Sequence, residues 1–307
     1  MTSMVDTPKW LFTVGCFVIL SITKAAAADW PDGYVVYENT QSPDERYGIL
    51  VPSMEAWEKD ETLAQTNYFA DLKEHRLVGK IRAAEYFERQ NHRALQVIWA
   101  EDSSWSVVEY DDRFGFSSIS ILEPKGGSFI QTDIGNQVDK ALATVLKKKS
   151  HNPDSGGGDA TTYFRLGADR KLRMRAVSTT DPKQISEKGG YYALFQGTFD
   201  VRSKKWVATD ARSLNQDEYN DADTAFGDLD ANLEGIAFAT PENKAQWLDE
   251  RMNEVYVVVR LILPPARFVT VKKEQLEWLE KRDATTSIEE KGKLIQTRIK
   301  SLQELVW

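Results

Sequence analysis

Short alternating runs of apolar and polar residues dominate the chain to about residue 210; beyond that, apolar positions recur every three or four residues. Alternation bounded by turn residues predicts half-buried strands, and the longer period predicts helices with one buried face. Residues 34–37 and 47–51 read as strands on either side of Ser42-Pro43-Asp44-Glu45. In that turn proline presets φ and aspartate bonds its own backbone. Residues 67–72 and 77–81 flank Lys73-Glu74-His75-Arg76 as a hairpin. Residues 94–99 and 104–110 are parted by Ala100-Glu101-Asp102-Ser103, and 116–122 follows. Two further hairpins turn at Ala168-Asp169-Arg170 and at Arg202-Ser203-Lys204-Lys205. Strands at this spacing without long helices between them predict an antiparallel meander.

The first helical pattern covers 133–149, where Ile134, Val138, Leu142 and Leu146 share a face and three lysines close the last turn. The Gly-rich stretch 150–159 reads as a flexible loop. The acidic, turn-rich stretch 215–239 reads as a linker. Thr240-Pro241-Glu242 then opens a helix with an N-cap, a proline in the first turn and an acid behind it. Pro264-Pro265 ends that helix, a second runs to Asp283, and Ser287 with Glu290 caps a third. The expected fold is α+β: an antiparallel meander or sandwich-like β domain (29–214) with a packed helix, then a three-helix bundle (240–307).

Residues 1–28 have a different composition. Lys9 precedes an apolar run to Ile22, and Ala25 to Ala28 follow. A charged start, a short apolar stretch and a small-residue exit define a secretory signal, with cleavage expected after Ala28. The run is shorter than the roughly 20 residues that span a bilayer. These features predict an exported, periplasmic or extracellular protein, free of the membrane after cleavage. Cys16 is the single cysteine, so a mature chain would lack disulfides, thiol catalysis and cysteine-based zinc sites. A net charge of −8 argues against nucleic acid as partner and is compatible with a basic protein.

No cofactor is expected. His75, His92 and His151 lack a second ligand at metal-binding spacing. Asp228, Asp230 and Asn232 alternate as calcium ligands do, but Leu233 stands where the loop needs glycine and Ala239 where it needs glutamate. Phosphate-cradling glycine loops and a Gly-x-Ser-x-Gly nucleophile elbow are absent. With 47 Asp and Glu residues, no carboxylate pair for glycoside hydrolysis stands out from the sequence.

Met252-Asn253-Glu254-Val255-Tyr256 matches a Leu-Asn-x-x-Tyr pattern, and 275–283 matches Gln-x-x-Trp-x-x-x-Arg-Asp. In this order, with a proline break between, they resemble the N-terminal domain of the lysozyme inhibitor LprI family, small secreted helical domains. The likeness covers about a fifth of the chain, and Thr286 stands where the family commonly has a cysteine. It implies a docking role for Asn253, Tyr256, Gln275, Trp278, Arg282 and Asp283, beside a structural one in which Trp278 packs on Tyr256. Ser42-Pro43-Asp44 and Trp99-Ala100-Glu101-Asp102-Ser103 loosely resemble turns of propeller-like secreted proteins, but two such turns are too few for a closed propeller. The expected function is a non-catalytic envelope binding or inhibitor-like protein, its partner a protein or glycan, with lysozyme conceivable. The alternatives are a glycan-acting envelope enzyme and a structural or assembly module.

Overall fold

A computed structural model describes residues 30–113, 115–147, 160–180, 190–228 and 238–306. The proposed signal segment, the loop 150–159, Asp230 and Asn232 of the calcium-like pattern, and His151 lie outside them. The described β region forms three four-stranded antiparallel sheets. The first contains β1 (Tyr34–Val36), β2 (Tyr47–Pro52), β3 (Asn67–Asp71) and β4 (Arg76–Ile81). The second contains β5 (Ala94–Trp99), β6 (Ser106–Asp112), β7 (Gly115–Lys125) and β8 (Ser128–Asp133). The third contains β9 (Ala160–Leu166), β10 (Lys171–Thr179), β11 (Tyr192–Asp200) and β12 (Lys205–Leu214). Every neighbour in a sheet is also the neighbour in sequence, so each is an up-and-down meander with the topology of a propeller blade. The strand pattern misses β8, an edge strand with only partly buried or exposed residues and hence a faint alternation.

The sheets stack through shared cores. Ile49, Val51, Phe69 and Ile81 of the first sheet meet Leu95, Val108, Tyr110 and Leu122 of the second. The opposite face of the second sheet, with Val107, Ile119 and Ile121, meets Leu172, Met174 and Phe195 of the third. A short helix α1 (Met54–Lys59) follows β2, and helix α2 (Gly135–Lys147) joins this second core through Val138, Leu142 and Leu146. Adjacent residues Val107 and Val108 thus serve two different cores. β6 and β10 are buried on both faces over most of their length, yet polar residues such as Glu109 and Arg175 interrupt the continuous apolar run that such a strand ordinarily shows.

A repeated turn chemistry underlies the three meanders. Asp44, Asp102 and Asp169 each accept, at Oδ1, the backbone N–H two residues on, at 3.2, 3.0 and 3.3 Å. The residue after each aspartate (Glu45, Ser103, Arg170) has φ of 57–58°, a left-handed position the Asp side chain helps to hold. The turns also bind one another. Asp44 N donates to Ser103 Oγ (3.1 Å), and Arg170 Nη1 donates to Ser104 Oγ (3.2 Å). A second motif closes the outer hairpins. Asp71 and Asp200 each accept the N–H three residues on, at 3.2 and 2.8 Å, ahead of His75 and Lys204 at positive φ. His75 is thus a turn residue, its ring stacked on Trp30 at 4.0 Å.

The outer face of the third sheet is covered by helices. Val177, Tyr192, Leu194 and Leu214 share a core with α3 (Gln216–Asp228), α4 (Pro241–Ile262), α5 (Pro265–Ala284) and α6 (Ile288–Val306). The stretch 215–239, read from sequence as an acidic linker, therefore carries a helix over much of its length. Asp217 faces water and Asp221 pairs with Arg260 of α4, while Tyr219 stacks on Tyr192 at 4.7 Å and Ala222 is fully buried. Tyr219 and Ala222 thus give apolar contacts to a helix whose composition reads as solvated. Leu248, Met252, Val255 and Val259 of α4 lie at alternating four- and three-residue spacing, as do Ile295, Ile299, Leu302 and Val306 of α6. The two stripes pack along each other as coiled-coil seams do. Helix α5 is attached more lightly and buries Val271 and Gln275. Leu302→Ala removes a fully buried side chain and is expected to cost about 2–5 kcal/mol, read as a lowered urea midpoint.

Candidate functional site

Strand alternation places Val107, Glu109 and Asp111 of β6 on the face turned to the third sheet. Val107 belongs to that core, but the next position along the face is a carboxyl. Glu109 is 2% exposed. The Thr162 hydroxyl of β9 donates to it, with Oγ1 2.6 Å from both carboxyl oxygens. Burial first, then the Asp111 carboxylate beside it, pushes Glu109 up to about 8 against an ordinary 4.5. A hydrogen bond between the two carboxyls adds to the shift, so Glu109 carries a proton at neutral pH. Two carboxyls on one strand face that share a proton are the usual means of keeping one of them neutral.

The pair opens onto a cleft of about 250 Å³ between the second and third sheets, lined also by Gln96, Arg113 and Thr161. A second cavity of about 310 Å³ adjoins it, sharing Asp112, Arg113, Gly115 and Ala160, and extends past Phe116 to Asp139 of α2. Ligand pockets commonly measure about 300–1,000 Å³; the second cavity is at the lower end of that range with apolar walls from α2, and the cleft, just below it, is lined mainly by polar side chains. Arg93 fixes one wall by donating from Nε to Asp112 (3.1 Å) and from Nη1 to Glu85 (3.2 Å). Gly115 makes the narrow seam possible. It has φ +134°, and a Cβ there would lie 2.9 Å from the backbone nitrogen of Ala160. Gly115→Ala is expected to cost about 1–3 kcal/mol in a urea titration, through strain and the widened seam together.

The motif residues of the C-terminal helices go elsewhere. Buried Gln275 donates from Nε2 to Met252 Sδ (3.0 Å) and accepts from Arg298 Nε (2.8 Å), tying the three helices together. Arg282 lies over the Trp278 ring at 5.7 Å, pairs with Asp249 of α4 and donates to Asp283 at 2.9 Å. Tyr256 packs against Phe268 with ring centroids 5.5 Å apart. Trp278 and Tyr256 both flank the same core, but among the described residues their rings form no pair. Phe268, one turn into α5, occupies the place that sequence spacing assigns to Trp278. Asn253 and Asp283 are exposed. Gln275, Trp278 and Arg282 are thus engaged in joining helices, and the row offers few free groups to a partner.

Among the described residues no group of three His, Cys, Asp or Glu side chains converges as a metal holder, and no helix is long and apolar enough to cross a membrane. Sequence alone does not single out Glu109. Its signal is an acid at a position where the alternation through Val107 requires an apolar residue, and it becomes visible once β6 is known to be buried on both faces.

No family model matches the chain, and no curated protein matches it. Two solved structures resemble it distantly. One is a Lactobacillus plantarum protein, 13% identical, covering 60% of this chain and 46% of its own, with a TM-score of 0.27. The other is the complex of the fission yeast SREBP–SCAP binding domains, 10% identical, covering 69% and 46%, with a TM-score of 0.30. The chain spans less than half the length of either.

Proposed function

We propose that this is an exported, non-catalytic binding protein of the cell envelope that holds a glycan in the cleft between its second and third sheets. The observation that carries this reading is the composition of the cleft. The Thr161 hydroxyl, the Gln96 amide and the Arg113 guanidinium line the cleft in front of the buried Glu109–Thr162 pair, and the Phe116 ring lines the adjoining cavity. Sugar hydroxyls both donate and accept, and a mixed polar lining of this kind matches them. Co-sedimentation with insoluble peptidoglycan tests the reading. Gln96→Ala and Thr161→Val are each expected to weaken binding about fivefold, the loss of about 1 kcal/mol per hydrogen bond. Equal sedimentation of wild type and both variants would sink the idea.

A second reading, lysozyme inhibition through the C-terminal helices, is favoured by the outer face of α5. Val269 and Leu276, two turns apart on that helix, are 68% and 55% exposed, on a chain of net charge −8. Such a strip suits a basic protein partner. In a clearing assay with lysozyme and peptidoglycan, this reading predicts slowed clearing by wild type and normal clearing with Val269→Asp/Leu276→Asp. The Glu109–Asp111 pair is the feature that would serve a glycan-acting enzyme. Clearing without added lysozyme would favour that alternative over both binding readings.

A further inference from the structure

We propose that the uncovered half of the outer face of the third sheet binds an acidic polysaccharide, with Arg165 and Arg173 on adjacent strands taking a sugar carboxylate. This surface is separate from the cleft, and only the choice of a glycan among polyanions rests on the reading given above.

The helices cover that face unevenly. Val177, Leu194 and Leu214 belong to the core shared with α3 to α6. Alternate residues of a strand share a face, so Val177 leads along β10 to Arg175, Arg173 and Lys171. Arg175 is buried where α6 ends, its Nη2 donating to the Val306 carbonyl. Beyond it the face is open. Residues directly opposite one another on paired strands lie on the same face, and the register then defines two open rows. In one, Arg165 of β9 stands opposite Arg173, followed by Thr198 and Ala208. In the other, Lys171 stands opposite Asp200, followed by Lys205.

The charges of these rows do not cancel. Arg165 and Lys205 are exposed, and Arg173 and Lys171 are half-buried. Like charges directly opposite on a sheet are destabilising, and Arg165 and Arg173 form such a pair. One carboxylate, Asp169 of the β9–β10 turn, serves two of the cations, 3.3 Å from Lys171 and 3.6 Å from Arg173. Asp200 accepts the Ser203 N–H of its own turn (2.8 Å), and Asp210 accepts from Gln196 (3.3 Å). The β11–β12 turn adds exposed Arg202 and Lys204. Six cations thus stand against three carboxylates at this end of the sheet, on a chain of net charge −8. A patch opposite in sign to the molecule draws anions to one place.

The shape suits one unit of a sugar chain. A hollow of about 210 Å³ lies on this face, with Arg173 on one side and Gln196, Thr198 and Thr209 around it. It is smaller than the pockets of about 300–1,000 Å³ that enclose whole ligands. A guanidinium takes a carboxylate through two parallel N–H donors, and the amide and hydroxyls beside it suit the hydroxyls of the same sugar. A bilayer surface is served less well, because the two rows contain no apolar side chain larger than Ala208.

Equilibrium binding to polygalacturonate, which has one carboxylate per sugar, tests the site. Wild type is expected to bind it, and to bind the fully methyl-esterified polymer about tenfold more weakly. Arg165→Gln/Arg173→Gln should lose about tenfold on polygalacturonate, and Arg165→Gln alone, at an exposed position, about threefold. Lys272→Gln/Lys273→Gln removes the same charge from the exposed side of α5 and should stay within about twofold of wild type. Equal loss in both double variants would reduce the effect to net charge and overturn the proposal. So would absence of wild-type binding, or indifference to esterification. Wild-type binding to phosphatidylglycerol vesicles but not to polygalacturonate would overturn it in favour of a membrane surface. Polygalacturonate plays no part in the peptidoglycan sedimentation, so failure of this site and failure of the cleft give separate results.

Discussion

Replacing Glu109 by Gln is expected to flatten the dependence of folding stability on pH between about 4.5 and 8. Below the ordinary glutamate range both the folded and unfolded chains carry this proton, and stability is at its plateau. As pH rises through 4.5 the unfolded chain gives the proton up while the folded one retains it to about 8, so stability falls through this window. The slope from a single group is about 1.4 kcal/mol per pH unit, giving a total on the order of 5 kcal/mol. Above about 8 both states are ionised and the loss is complete. The glutamine variant retains a polar group against Thr162 and has no proton to lose. Urea titrations at half-unit steps should show a falling wild-type curve and a level variant curve. The turn aspartates pull the other way and elsewhere. Hydrogen bonds from Ser104, for example, hold Asp102 below the usual carboxylate range, so its contribution is present above about pH 4 and lost on acidification. The two windows do not overlap, which leaves the Glu109 slope readable.

Asp71→Ala is the second large effect expected. Asp71 is fully buried, and its Oδ2 accepts from Arg46 Nε (3.2 Å), Arg46 Nη2 (3.0 Å) and Arg76 Nη2 (3.4 Å), while Oδ1 accepts from Glu74 N (3.2 Å). One side chain thus joins the β1–β2 turn region, the end of β3 and the start of β4. Arg76 in addition donates from Nη1 to the Gly127 carbonyl of the second sheet (3.0 Å), so the network crosses between sheets. Breaking a buried ion pair by removing one partner costs about 3–5 kcal/mol, because a charge is left without compensation. Here Arg46 is 45% exposed and Arg76 24%, and both can turn to water, which places the expected loss near the lower end, about 3 kcal/mol. Asp71→Asn retains an acceptor for the Glu74 N–H and should cost about half as much. A thermal melt of the three proteins orders them.

Much of the fold is legible in the sequence where local chemistry decides the outcome. The turns at Asp44, Asp102 and Asp169 rest on a side chain bonding its own backbone two residues on, and a short window of sequence contains the whole interaction. Thr240 caps α4 in the same self-contained manner, accepting from Asn243 N at 3.2 Å. What local windows hide is burial imposed from a distance. The acids of α3 suggest a solvated linker until Tyr192 and the third sheet are in place to receive Tyr219. The ring partner of Tyr256 is Phe268, because the turn at Pro264–Pro265 brings the first part of α5 back across α4 before Trp278 is reached. Glu109 lies further still from local inference. Thr162, its partner, is 53 residues away across two sheets, and an acid in a strand is ordinarily read as solvent-facing.

The account turns on one proton. A carbon-13 NMR titration of selectively labelled glutamate, with Glu109→Gln used to assign the signal, measures it in the folded protein. The carboxyl of Glu109 should change shift near pH 8. A transition near the ordinary 4.5 would mean an ionised, solvated side chain, and would contradict a buried, protonated carboxyl between the second and third sheets.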